Sequence, residues 1–481
     1  MITSEIYSQL EASEINKQEA DRQYKLLISG AHFMVLDRTA TINDGIKRLN
    51  ELEANAYAKA YDDQKNNLLV EKFVPASGAA SRMFKDLVNF EADGKISKPI
   101  ESLFASKEKL AFYTLLPKNA SDKELAHFIL YKLGYESTPK GLIPFHAYES
   151  GYRTPFEEHW LEGIKYAESN GKIKIHFTIS EDHQEAFQAL LKQNKQEFEK
   201  KYGANLHISF SFQKKSTDTI AVDNAGNIVM DDNSKVLLRP GGHGALIQNL
   251  NSIDAELIFV KNIDNVTHES RLVPTILYKK ALAGVLLELK DKVFRLLRTL
   301  DSGKASLEEL EKMGPELMME TPQDYAQMND ADKLSFWKNK LNRPLRVCGM
   351  VKNEGEPGGG PFWVKERNGA SLQIVESAQI DRENEEQETI LQNSTHFNPV
   401  DLVCYVKDYQ GHKFDLTNFV DQSAAFITSK SFNGKDITVL ERPGLWNGAM
   451  AYWNTIFVEV PIETFNPVKT INDLLKKGHQ P

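Results

Sequence analysis

Leu68-Leu69-Val70-Glu71-Lys72-Phe73-Val74, followed at once by Pro75-Ala76-Ser77-Gly78-Ala79-Ala80-Ser81-Arg82-Met83, reads as a short apolar strand running into a turn of small residues. Such a turn presents a row of backbone N–H groups from Ser77, Gly78, Ala79, Ala80 and Ser81 that no bulky side chain obstructs. If it opens a helix, the positive end of the macrodipole adds to those donors, and Arg82 supplies a charge with bidentate geometry for phosphate. The same composition also suits a turn that only lets strand and helix pack closely.

Working outward, alternation in Ile173-Lys174-Ile175-His176-Phe177-Thr178-Ile179 predicts a strand, as do residues 206–212 and the solid apolar run Leu257-Ile258-Phe259-Val260. Helical periodicity lies between them, as in residues 181–198, and residues 272–300 carry a long apolar stripe in which Pro274 is tolerable near the first turn. Strands alternating with helices predict an α/β sheet covered on both faces, with ligands at the carboxyl ends of the strands. Residues 1–67 read as a helical layer, on Ile46, Leu49, Leu52 and Ala56. The expected organisation is 1–67 helical, 68–345 an α/β core with a helical insertion at 84–137, and 346–481 a more β-like part completing the core.

The chain has 481 residues, 41% hydrophobic and 26% charged, which is a globular composition rather than a disordered or fibrous one. With 58 Lys+Arg against 67 Asp+Glu, the formal charge of −9 argues against a nucleic-acid-coating surface. Any anion site must then be local. Two cysteines, Cys348 and Cys404, support neither a disulfide framework nor a Cys-based zinc site, and both are expected to be reduced and buried. The first residues hold Glu5, Glu11 and Glu14 with no apolar signal region, and no apolar run approaches a membrane span, so a cytoplasmic protein with no membrane partner is expected.

Three further segments carry candidate chemistry. In Arg239-Pro240-Gly241-Gly242-His243-Gly244-Ala245, three glycines in four positions require close backbone approach or positive φ, and His243 suits either a nucleotide contact or a cap. In Lys261-Asn262-Ile263-Asp264-Asn265, Asp264 follows a strand, where one carboxylate together with substrate phosphates suffices for Mg²⁺; capping the next turn is the other reading. In Phe465-Asn466-Pro467-Val468-Lys469-Thr470, Lys469 stands at an expected helix start, where a cation is disfavoured unless an anion lies near.

Together these segments resemble the sugar nucleotidyltransferases, and most closely the UDP-sugar pyrophosphorylases that make UDP-glucose or UDP-N-acetylglucosamine. Residues 75–83 look like that family's signature loop, with Ala80 in place of its second glycine. Pro139-Lys140-Gly141-Leu142 looks like the second half of the signature, split from the first by about fifty residues. Phe212-Gln213 is similar to the strand end near the uracil, residues 240–244 to the nucleotide loop, Ile374-Val375-Glu376-Ser377 and Phe397-Asn398 to segments on the sugar side, and Pro467-Val468-Lys469 to a phosphate-binding motif.

The resemblance implies a doubly wound, mostly parallel nucleotide-diphospho-sugar transferase fold with a helical N-terminal layer. It also implies transfer of a nucleotidyl group from a nucleoside triphosphate, UTP on this likeness, to a sugar 1-phosphate, with Mg²⁺ as cofactor. The implied roles give Arg82, Lys140 and Lys469 the phosphates and Asp264 the metal. Ser77, Gly78, Ala79, Ala80, Ser81, Gln213, Gly242, His243 and Gly244 face the nucleotide, and Glu376 and Asn398 the sugar. A non-catalytic nucleotide or sugar-phosphate binding protein on the same fold is the other reading.

Overall fold

The computed structural model describes every residue except Met1, Ala31, Ala79, Glu356, Pro357, Arg367 and Asn368. The chain is a mixed α/β protein whose largest sheet is mostly parallel, and it divides into two units, each built from several stretches of sequence. The first contains Asn50–Phe212, Leu257–Gly284 and Val460–Pro481; the second contains Met1–Leu49, Gln213–Glu256 and Val285–Glu459.

In the first unit, strands Leu257–Lys261, Val70–Pro75, Lys172–Thr178 and Leu206–Ser211 lie side by side in that order, each parallel to its neighbour. All but the last strand are almost wholly buried, which suits their solid apolar runs. The helix Pro155–Tyr166 packs against this sheet, started by Pro155 and by a capping box between Thr154 and Glu157. The helix brings Phe156 and Trp160 into one core with Phe177, Phe187 and Ile175.

Under the same sheet sits a buried charge cluster that no periodicity announces. Glu162 takes Lys72 Nζ at 2.8 Å, Lys261 Nζ at 2.7 Å and the Tyr166 hydroxyl at 2.7 Å. Burial would push the Glu162 carboxyl up, but the two lysines outweigh it and hold it well below the usual range. The carboxylate therefore ties together two neighbouring parallel strands.

Residues 84–137 contain the helices Lys85–Asp93, Lys98–Ala105 and Asp122–His127 joined by tight turns. Phe84, Leu87, Phe112, Ile129 and Tyr135 form a core that also takes in Val266, Val468, Ile471 and Leu474. The insertion is thus a platform under the loop after strand Leu257–Lys261 and under the segment around Lys469.

In the second unit, Gly45–Lys47, Asn454–Glu459 and Leu345–Lys352 pair in parallel, and Asp401–Tyr405 adds antiparallel to the last. Two antiparallel sheets accompany them. One contains Leu36–Thr39, Gly360–Glu366 and Gly369–Val375; the other contains Leu238–Arg239, Thr219–Val222, Lys435–Glu441 and Phe426–Phe432.

The helical reading of residues 1–67 holds for Ser4–Ala12, Lys17–Ser29 and Glu51–Gln64, but residues 36–47 are strands. Ile46 is buried in a strand while Leu52 is 83% exposed, so these apolar residues lie on no common helix face. Tertiary pairing decides that stretch. Cys348 and Cys404 are buried free thiols, and no helix among the described residues is long and apolar enough to cross a membrane.

Replacing Glu162 with Gln leaves two buried ammonium groups without a counter-charge. Glu162→Gln is expected to destabilise the protein by about 3–5 kcal/mol in chemical denaturation, whereas Lys172→Gln on the exposed start of its strand changes little.

Candidate functional site

Two parallel neighbours, Val70–Pro75 and Leu257–Lys261, end on the same edge of the first unit's sheet. The loops that leave them are stitched together, since Ile263 N donates to Pro75 O at 3.3 Å. Lys140 enters through a short 3₁₀ turn, Lys140–Leu142, and its backbone N–H reaches Gly78 O at 3.4 Å. The segment at 466–471 closes the group: Asn265 pairs antiparallel with Pro467, Val468 N donates to Asp264 O at 3.1 Å, and Ile471 N donates to Met83 O at 3.1 Å. Four segments remote in sequence meet at one strand edge.

At their centre Asp264 Oδ2 accepts from Lys140 Nζ at 3.0 Å and from Lys469 Nζ at 3.1 Å. Asp264 is 6% exposed. Burial alone would raise its carboxyl, but the charges of Lys469 and Lys140 prevail and hold it below the ordinary value of 3.8. Lys140 is fixed further by a 2.8 Å bond to Val468 O, and only 12% of its side chain is exposed. Lys469 is the more open partner by comparison, with 62% of its side chain exposed.

Arg82 is exposed on the turn and makes no ion pair among the described residues. Ser77, Gly78 and Ser81 are likewise exposed, and Ala79 lies outside the described residues. Gly78 has an ordinary φ, and a Cβ built on it would meet no atom within 4 Å, so neither strain nor packing accounts for a glycine there. Ala80 is fully buried in the core with Met83 and Phe84, so its methyl points away from the outer face of the turn. The turn does not itself begin a helix. Its last residues form a tight turn, and the helix Lys85–Asp93 follows, capped at Phe84 without a side-chain acceptor.

The segment at Lys469 also differs from the helix start expected there. Thr470 and Asp473 form a capping box over a five-residue 3₁₀ turn, Ile471–Leu475, and the N–H groups of Lys469 and Thr470 both reach Asp473 Oδ2. So short a turn has little macrodipole, and any pull on an anion at Lys469 comes from the side chains instead.

The remaining predicted residues belong to the second unit. Gly241 and Gly244 are glycines because backbone carbonyls crowd them: Thr217 O and Pro443 O would lie 2.5 and 2.1 Å from an added Cβ. Gly242 has φ +73°. His243 stacks on Trp446 with ring centroids 4.4 Å apart, and its Nδ1 accepts from Leu445 N, which ties this turn to a remote loop; burial lowers its pKa to about 4. Glu376 Oε1 accepts from Asn447 Nδ2 at 3.1 Å, and Asn398 is buried with its backbone N–H on Gly359 O. Gln213 donates to Asp218 at 3.1 Å.

Sequence reasoning missed the loop Pro443-Gly444-Leu445-Trp446-Asn447, to which both His243 and Glu376 are tied. Its Gly-Leu-Trp-Asn sequence has no periodicity to mark it. The fully buried Arg346, which bonds Trp446 O at 2.6 Å, anchors that loop.

A mixed α/β protein with a large, mostly parallel sheet and a lysine-bridged aspartate at a strand edge is the class these observations define. The chain belongs to the family described as "Domain of unknown function (DUF4301)", which matches residues 3–480. No curated protein matches it. Among solved structures it is similar to the uridine diphosphate N-acetylglucosamine pyrophosphorylase from Trypanosoma brucei, at 12% identity and TM-score 0.49, over 98% of this chain and 79% of that one. It is also similar to a mutant UDP-glucose pyrophosphorylase from Leishmania major, at 12% identity and TM-score 0.48, over 99% and 79%.

The depressed pKa of Asp264 gives a pH signature. Its contribution to stability is complete above the ordinary aspartate value of 3.8 and is lost as pH falls through the lower folded value. Asp264→Asn should therefore melt below the native protein at neutral pH, and the deficit should shrink in acid as the native carboxyl protonates.

Proposed function

We propose that the chain is a sugar-1-phosphate nucleotidyltransferase of the UDP-sugar pyrophosphorylase kind, on a doubly wound nucleotide-diphospho-sugar transferase fold. The observation that carries this reading is the meeting of Lys140 and Lys469 on Asp264, beside an exposed small-residue turn bearing Arg82. Three cations and one carboxylate give a local surplus of positive charge on a protein of formal charge −9. That surplus suits ligands bearing several negative charges.

The reaction needs no protein nucleophile. An oxygen of the sugar 1-phosphate attacks the α-phosphorus of the triphosphate, the α–β phosphoanhydride bond breaks, and pyrophosphate leaves with the electron pair. No proton has to move. The protein's task is to hold two mutually repelling anions in line and to offset charge on the transferring group. Lys140, doubly fixed by Asp264 and Val468 O, is a stationary charge for the α-phosphate. Lys469 has its ammonium on Asp264 alone and is able to turn onto an arriving sugar phosphate. Arg82 suits the terminal phosphates, and Ser77, Gly78 and Ser81 are exposed on the same turn.

Mg²⁺ fits the donor set in a limited way. Among the described residues no group of three His, Cys, Asp or Glu side chains is placed to hold a metal, so a resident cage is not built. Both lysines bind Oδ2 of Asp264, leaving Oδ1 for an ion whose other ligands are water and substrate phosphates. When bound, the ion would add charge stabilisation on the phosphates.

The test is pyrophosphate release across a panel of triphosphates and sugar 1-phosphates in Mg²⁺. Asp264→Ala should lower the rate by roughly 10²–10³. Nucleotide binding in calorimetry without release for any pair would instead favour the non-catalytic binding protein. Lys469→Ala should weaken the sugar phosphate more than the triphosphate, and equal losses for both would remove the role assigned to it.

A further inference from the structure

The first unit holds a chain of buried titratable groups that none of the chemistry above employs. Glu158 Oε1 faces His146 Nδ1 at 2.9 Å, and His146 Nε2 faces His479 Nδ1 at 2.9 Å, with the two rings stacked 5.1 Å apart. His146 is 0% exposed and His479 2%. One proton occupies the bond between the rings, whichever nitrogen carries it. A proton on both facing nitrogens would set N–H against N–H and break that bond.

His479 belongs to residues 476–481, which fasten two segments of the candidate site. Gly478 O accepts from His268 N at 2.9 Å and from Thr267 Oγ1 at 2.6 Å, and Gln480 O accepts from Arg271 Nε at 3.1 Å. These partners lie on the stretch of chain that leaves Asp264. On the other side Gly478 packs so closely on Asn466, three residues before Lys469, that an added Cβ would stand 2.0 Å from its Oδ1. Asn466 N in turn donates to Asn265 Oδ1 at 2.8 Å. A cavity of about 410 Å³, lined by Thr267, Arg271, Phe465, Asn466 and Gly478 among others, leaves room beside the fastening.

The groups facing the two rings are Glu158, Tyr148, Arg153, His268 and Glu162 around His146, and Asp473 and Lys476 around His479. Arg153 is itself paired with Glu158 and Glu269, and Lys476 with Asp473. Burial outweighs the acids and holds both imidazoles down at about 3, so both rings are uncharged in the fastened state. Burial also pushes the Glu158 carboxyl up to about 7, but its neighbours Tyr148 and Arg153 lie on the strands His146–Tyr148 and Gly151–Arg153 rather than on residues 476–481. Once lifted into water, His479 returns to the ordinary value of 6.5. Fastening is therefore at full strength above pH 6.5 and weakens as pH falls below it toward the fastened value.

We infer that residues 476–481 form an acid-released clasp: with His146 and His479 uncharged it locks the loop after strand Leu257–Lys261 to the segment before Lys469, and protonation of the facing imidazoles lifts it and loosens the meeting of Asp264 with Lys469.

Hydrogen exchange of the full chain between pH 7.5 and 5 tests the inference, each rate being divided by the intrinsic rate at that pH. The His268 amide reports the clasp, and the Val468 amide, which donates to Asp264 O, reports the site. Both should be protected at pH 7.5, and the opening constant of each should rise about tenfold per pH unit below 6.5. In His479→Gln both opening constants should be higher at pH 7.5 and change by less than about twofold down to pH 5. The Phe259 amide, in a wholly buried strand, should keep its protection there and so show that the variant is folded. Absence of protection at pH 7.5, opening that ignores pH in the native chain, or an unchanged pH dependence in His479→Gln would each overturn the clasp. If the variant does not fold, the native pH series decides alone. A pH-dependent His268 amide together with a Val468 amide that ignores pH would overturn the link to Asp264.

Discussion

Asp264 must neutralise two ammonium groups brought to it from 124 and 205 residues away along the chain. A carboxylate so buried is tolerable because both cations arrive, and the charged carboxylate in turn holds Lys469 and, together with Val468 O, Lys140. The loop after strand Leu257–Lys261, the turn at Lys140 and the segment around Lys469 are thus mutually dependent. Backbone bonds from Val468 to Asp264 and from Ile471 to Met83 convert that electrostatic dependence into a fixed geometry.

Beneath the sheet, Glu162 repeats the arrangement in a drier setting, one carboxylate between Lys72 and Lys261. The difference in exposure separates the two. Lys72 and Lys261 are sealed on their strands, so their charges serve cohesion, whereas Lys469 reaches solvent and its charge is available to a ligand. Equivalent pairings in sequence terms therefore differ in what solvent can reach, and burial distinguishes them.

How much was legible in the sequence followed from how local the cause was. The apolar runs at 70–75, 172–178, 206–211 and 257–261 state their own strands, and Asp264 at the end of one of them could be found by position alone. Lys140 and Lys469 could be selected only through resemblance, since an isolated lysine before a turn has no signature. Ile46 misled because its spacing to Leu49, Leu52 and Ala56 arose by chance, while its strand partner Phe457 lies hundreds of residues away. The 443–447 loop and Glu162's role were invisible for the same reason: both depend on neighbours that only folding supplies. The glycines of residues 241–244 were marked correctly as backbone-constrained, but their crowding comes from Thr217 and Pro443.

The position of Lys469 along the polypeptide also has a temporal meaning. A ribosome releases Lys140 and Asp264 long before Lys469, so a nascent chain first carries a carboxylate matched by one lysine and without the backbone carbonyl of Val468. The second counter-charge of Asp264 comes 205 residues after the carboxylate itself. Until then Asp264 is only half bridged, and the strand edge closes when residues 466–471 pair with the loop that carries it.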